Sequence, residues 1–253
     1  MLNPFYATWI VGVLLMGLGN SIAAHDRDTS LAFMFAYAPK TGAADLANGY
    51  KKHLEWHIKR NDPILWYGWF VVEGERLDYF IDGAFDITGA EFDSRPDPAG
   101  DAEDATANFL PVADPLYRRV NRLRKDLSTS SFLEERRPSP LMQVVHYHVR
   151  PGKQGIFEAV VSEITEAARR ANLPYAIYET LTGSSGAVYS MYVPLNGFRD
   201  FDTAALSIES VAHAAMSEDS MSSAMTQIAL AAESTYSEVW QYRSDLSLIP
   251  EQQ

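Results

Sequence analysis

Residues 142–181 read MQVVHYHVRPGKQGIFEAVVSEITEAARRANLPYAIYETL, and the fold is decided in this stretch. Residues 142–150 alternate as a strand, Pro151 breaks it, and residues 153–171 read as a helix. Asn172-Leu173-Pro174 then stops the helix before a second strand over 175–181. The helix carries Ile156, Phe157, Val160, Val161, Ile164, Ala167, Ala168 and Ala171 at three-to-four spacing. Its charges fall mostly on the other side, so one face covers a sheet. The same punctuation occurs upstream. Residues 31–38 (LAFMFAYA) read as a strand, Pro39 breaks it, and residues 42–60 form a helix. Asn61-Asp62-Pro63 stops that helix before the aromatic strand 65–72 (LWYGWFVV). The two prolines lie 24 residues apart in the first copy and 23 in the second.

The match continues on both sides. Glu73-Gly74-Glu75 turns the first copy into a strand over 77–85, and Gly183-Ser184-Ser185-Gly186 turns the second into 187–193. Each copy then has helical material and a closing strand. In the first, Leu116, Val120, Leu123 and Leu127 line one side of an expected amphipathic helix, followed by a strand over 131–136. In the second, an Ala/Ser/Met-rich helical stretch over 203–233 precedes a strand over 237–243. The order strand, helix, strand, strand, helix, strand is the ferredoxin-like βαββαβ unit. The strands carry apolar residues on both faces, as in Trp66, Tyr67, Trp69 and Phe70, so the face away from the helices needs a cover as well. The other copy's sheet supplies it. The expected architecture is α+β: two tandem ferredoxin-like units, 30–138 and 140–246, packed sheet to sheet as an intramolecular α+β barrel. Residues 93–115, with six acidic residues against Arg95, read as an acidic loop inserted into the first unit.

Composition sets outer limits. The chain has 253 residues, 47% of them hydrophobic, which is ample for a buried core. A net charge of −12 would repel a phosphate backbone, so no nucleic acid is expected as a partner. With no cysteine there is no disulfide, thiolate nucleophile or cysteine-held metal. Residues 1–24 carry no charged side chain, and 9–18 (WIVGVLLMGL) followed by Ser21 and Ala23 reads as a signal peptide with its cleavage site. The expected location is periplasmic or secreted, without membrane attachment after cleavage. An intramolecular barrel permits a monomer, and a homodimer is equally compatible.

The second copy opens with Tyr147, Val149, Arg150, Pro151, Gly152, Lys153, Phe157 and Glu158 in a YxVRPGKxxxFE-like run. With the element order, this resembles the dimeric α+β barrel superfamily, in particular antibiotic-biosynthesis monooxygenase and NIPSNAP-like proteins. The resemblance implies a small-molecule ligand held between the sheets. It also raises haem as an alternative cofactor, since related barrels include haem binders; no permanent cofactor is the leading expectation.

Alternation places His146, His148 and Arg150 on one strand face, with Val145, Tyr147 and Val149 on the other. The apolar set suits the helix-covered side, so the histidines face the inter-sheet cavity as candidate proton-transfer groups, with Arg150 to steady an anion. Trp66, Trp69, Tyr178 and Tyr192 are candidate cavity walls. His53 and His57, one helical turn apart, form a second pair. Aligning the helices on their closing prolines sets them opposite Ile164 and Ala168, in the core. Aligning on the opening prolines sets them opposite Thr165 and Arg169, at the surface. No third ligand is evident, so no metal site is expected. The basic cluster Arg118, Arg119, Arg122, Arg124 and Lys125 reads as the solvated face of its helix. The leading functional reading is a small apolar or aromatic ligand in a barrel cavity, with cofactor-independent oxygenation or isomerisation through His146 or His148. A haem-handling protein and a non-catalytic structural protein are the alternatives.

Overall fold

The computed structural model describes residues 30–250, and the expected signal peptide lies outside them. The first half runs β1 (Leu31–Pro39), α1 (Ala43–Lys59), β2 (Leu65–Glu73), β3 (Phe80–Ile87), α2 (Gly89–Asp93), α3 (Pro98–Asn108) and β4 (Ala113–Leu123). The second runs β5 (Leu141–Val149), α4 (Gln154–Arg170), β6 (Ala176–Thr182), β7 (Ala187–Leu195), α5 (Ile208–Ala215), α6 (Glu218–Ala231) and β8 (Ala232–Tyr242). The eight strands form one antiparallel sheet that closes as a barrel, in the order β4-β1-β3-β2-β8-β5-β7-β6 and back to β4. Each half therefore contributes its strands in the order fourth, first, third, second. The seams between halves are β2 on β8, where Trp69 faces Tyr242, and β4 on β6, where Leu123 faces Tyr178.

Side-chain alternation sorts the core into an inside and an outside. Inside lie Met34, Tyr67, Trp69, Phe85, Met142, Val144, Tyr178, Tyr192 and Trp240. Outside the second half, α4, α5 and α6 cover Val145, Tyr147, Val149, Ile177 and Met191 with Phe157, Val160, Ile164, Val211 and Ile228. Outside the first half, α1 covers Phe70 and Phe80 with Leu46, Tyr50 and Leu54.

Three sequence expectations fail in the first half. Residues 113–123 are a strand and not an amphipathic helix. The helical spacing of Leu116, Val120 and Leu123 is real but weak, whereas β4 satisfies its backbone on both edges, against β1 and β6. The expected strand over 131–136 is a run of turns, in which buried Phe132 and Leu133 plug one end of the barrel and Leu133 O accepts from Tyr67 Oη at 2.8 Å. The acidic loop 93–115 is mostly helical. Asp97 caps α3 by accepting from Gly100 N, and Pro98 starts it, a Pro-at-the-first-turn signal. The glycine at 49 lets this helix approach α1. A Cβ there would lie 2.8 Å from Asn108 O and 2.6 Å from Val112 Cγ2.

Candidate functional site

His146 points into the barrel, as alternation along β5 required, and is 2% exposed. It pairs across the sheet with Ser190 of β7 and Tyr236 of β8. Its Nδ1 lies 2.8 Å from Ser190 Oγ, and its ring stacks on Tyr236 with centroids 4.5 Å apart. Nε2 is buried and has no hydrogen-bond partner. Burial, reinforced by the charges of Arg76 and Arg119 and by His148, holds this imidazole well below its ordinary pKa, so it is neutral at pH 7. Beside it is a cavity of about 10 Å³, walled by Met34, Tyr117, Arg119, Asn121, Tyr192 and Trp240. That volume suits about one water.

His148 is half-buried further along β5, and its ring lies 5.8 Å from that of Tyr236. Its pKa is lowered by burial and by Arg119. Arg150 does not join the histidines. It is exposed beyond the end of β5, in the turn before α4. The cations near the histidines are Arg119 of β4 and Arg76 of the β2–β3 hairpin. Arg76 Nε donates to Glu238 Oε1 at 2.7 Å, its second amino group donates to Glu238 Oε2 at 2.5 Å, and its remaining nitrogen donates to Tyr117 Oη at 2.8 Å. Trp240 Nε1 also donates to Glu238, at 3.0 Å. Reading 113–123 as a helix hid this group. Read as a strand, Tyr117, Arg119 and Asn121 fall on one face.

Tyr178, Tyr192 and Trp69 belong to the interior aromatic packing, with Tyr178 and Tyr192 edge to face at 5.1 Å. Tyr178 Oη donates to Glu134. Trp66 lies on the opposite face, outside the barrel, where its Nε1 donates to Asp62 at 3.1 Å. It cannot share a wall with Trp69, because an odd separation along a strand puts the two on opposite sides.

The second histidine pair is buried. The helices α1 and α4 each span 17 residues, which sets His53 opposite Ile164 and His57 opposite Ala168, the closing-proline register. His53 Nδ1 lies 2.9 Å from Asp104 Oδ2, and His57 Nδ1 lies 2.7 Å from Asp62 Oδ2. Asp101 Oδ1 lies 3.3 Å from His53 Nε2 and 3.5 Å from His57 Nε2. Tyr50 Oη donates to the buried Asp82 at 2.7 Å, and burial raises this carboxyl to about 7. Asp101 and Asp104 come from the segment expected as a solvated loop. The helix start at Asp97-Pro98 and the three-residue spacing of Asp101 and Asp104 on one helix face were the available signal.

A larger groove of about 410 Å³ lies outside the barrel at the β2–β8 seam, lined by Glu73, Gln143, Phe198, Phe201, Ser237 and Val239 among others. It is far roomier than the cavity at His146 and contains no histidine.

No protein-family model matches the chain, and no curated protein matches it. Solved structures do resemble it. A candidate monooxygenase from Lactobacillus acidophilus aligns with TM-score 0.54 and 10% identity over 87% of this chain and 96% of that one. An anthrone oxidase-like protein aligns with TM-score 0.51 and 11% identity over 88% and 94%. The chlorite dismutase from Candidatus Nitrospira defluvii, in complex with imidazole, aligns with TM-score 0.51 and 9% identity over 85% and 92%. At these identities the likeness concerns the fold, a ferredoxin-like α+β arrangement, and transfers no residue.

Proposed function

We propose that the protein binds a small apolar or aromatic molecule in the barrel, where His146 exchanges a proton with it and Arg119 steadies the resulting anion. One observation carries this reading: His146 is tied at Nδ1 to Ser190 and buried with an unpartnered Nε2, beside a small cavity that Arg119, Tyr117 and Met34 also line. A neutral imidazole in a buried setting can take a proton from an acidic C–H or O–H, and a nearby guanidinium compensates the charge that develops. Returning the proton to another carbon would be an isomerisation, which needs no cofactor. Oxygenation would additionally require dioxygen. The cavity admits about one water, so a ligand must displace Tyr117 and Arg119, the partly exposed members of its wall. The fold shared with a candidate monooxygenase and an anthrone oxidase-like protein agrees with this ligand class. In the same reading the two halves descend from one duplicated βαββαβ unit, and residues 1–24 are a cleaved export signal.

Haem, the alternative that the barrel resemblance implies, is the second reading. The residues do not fit it as arranged. The cavity that has a histidine holds about 10 Å³, and the roomy groove offers no imidazole as an axial ligand. Native and denatured masses of the purified chain, with a visible absorbance scan, test both readings. A colourless mass excess, lost in His146→Phe, is expected. A Soret band would favour haem, and a colourless excess that His146→Phe retains would remove His146 from the site.

A further inference from the structure

We propose that His53, His57 and Asp101 form a site for a divalent transition metal of the zinc class, outside the barrel between α1 and α3. This stands apart from the His146 cavity and does not depend on it. His53 and His57 leave the same face of α1, one turn apart. Their Nδ1 atoms meet Asp104 and Asp62 at 2.9 and 2.7 Å. A carboxylate only accepts, so each contact keeps the ring proton on Nδ1 and leaves Nε2 as a lone pair. Both Nε2 atoms lie close to one atom, Asp101 Oδ1, at 3.3 and 3.5 Å. Three acceptors that converge in a mostly buried place repel one another unless a cation stands among them.

The spacing suits such a cation. Ligands at about 2.05 Å from a tetrahedral zinc lie roughly 3.3 Å apart. The three donor atoms here lie within 4.8 Å of one another, and the two histidine-to-aspartate separations, 3.3 and 3.5 Å, match that edge. Two imidazoles and one carboxylate select zinc-like, cobalt or ferrous ions over calcium and magnesium, which prefer all-oxygen shells. An outer layer already orients the donors. Asp104 Oδ1 accepts from Asn108 Nδ2 at 3.0 Å, and Asp62 accepts from Ile64 N at 3.0 Å and Trp66 Nε1 at 3.1 Å. Partners of this kind are what fix metal-binding histidines in their tautomer. Arg95 lies 3.7 Å from Asp101 Oδ2, on the other oxygen, and leaves Oδ1 to the imidazoles. Three protein ligands leave a coordination position for water or an anionic molecule, and the Asp101 side chain, 20% exposed, marks the entrance.

The competing occupant is a proton, which would turn one histidine and Asp101 into an ordinary ion pair. Titrating the chelator-treated full chain with Co²⁺, followed by visible absorbance and displacement with Zn²⁺, separates the two. The expected result is one Co²⁺ per chain with the intense visible bands of a low-coordinate site. Asp101→Asn should weaken binding at least about 10-fold, Asp104→Asn by about 10- to 100-fold, and the exposed control Asp114→Asn should leave it unchanged. A wild-type chain that takes up no stoichiometric Co²⁺ or Zn²⁺ would overturn the assignment, as would a folded Asp101→Asn chain that binds like wild type. The wild-type arm decides the question even where a variant loses its fold.

Discussion

The two halves have the same strand order and helices α1 and α4 of the same length, yet they place their buried histidines on opposite sides of the sheet. In the first half β1 sends Ala32, Met34 and Ala36 inward, and the imidazoles lie outside, on α1, among Asp62, Asp101 and Asp104. In the second half α4 presents Ile164 and Ala168, fully buried among apolar neighbours, and the imidazole lies inside, on β5. The barrel carries a polar cluster on either side of its wall, and Arg119 and Asn121 of first-half strand β4 share the interior one with His146. What each half can do is set by which side is polar.

The largest effect should come from exchanging the two helix environments. Ile164→His puts an imidazole where no carboxylate waits. It loses apolar burial and leaves ring nitrogens unpaired, at a cost of about 4 kcal/mol in urea unfolding. A cost near zero would mean that the second half has a polar pocket hidden under α4. Next is the tie between halves, Arg76 on Glu238. Glu238 is 2% exposed, and Glu238→Gln leaves the guanidinium without its counter-charge, costing about 3 kcal/mol. A loss below about 0.5 kcal/mol would show that the interior relaxes around a lone charge.

How much of this was legible in the sequence differs between the halves. In the second, Pro151 and Pro174 bracket a helix with a clean stripe, and alternation along 144–149 placed His146 inward correctly. In the first, Leu116, Val120 and Leu123 imitate a helix face, and only long-range pairing with β1 and β6 overrides that local spacing. Losing β4 meant losing Tyr117, Arg119 and Asn121, and Arg150 came from carrying the alternation one residue past the end of β5. The acidity of 97–104 suggested solvation, whereas Asp97-Pro98 was a helix start that brings Asp101 and Asp104 onto α1. Proximity across 51 residues of chain, as between His53 and Asp104, has no local signature. Chemistry of single residues was readable, but the partners that define a site come from topology.

Smaller effects sharpen the comparison further. At the plugged end of the barrel, burial raises the Glu134 carboxyl to about 7 from an ordinary 4.5, although it accepts from Tyr178. The folded chain thus holds this proton more tightly than the unfolded one. The stabilisation is complete below about pH 4.5 and is lost as pH rises through about 7. Wild type should lose on the order of 1–2 kcal/mol between pH 5 and pH 8 relative to Glu134→Gln. Parallel pH profiles of the two chains would contradict this. The smallest change is Ser190→Ala, which removes the partner of His146 Nδ1 and should cost about 1 kcal/mol while leaving the barrel folded.

The state of His146 is the most direct test of a proton-exchanging group inside the barrel. Nitrogen-15 NMR of ring-labelled chain, assigned by the signal missing in His146→Gln, follows one imidazole among six across pH. The expected result is a ring that is neutral and in a single tautomer at pH 7 and takes up its second proton only well below the ordinary value near 6.5. A ring that titrates near 6.5 would show an open, hydrated imidazole and would contradict a buried base aimed at a ligand.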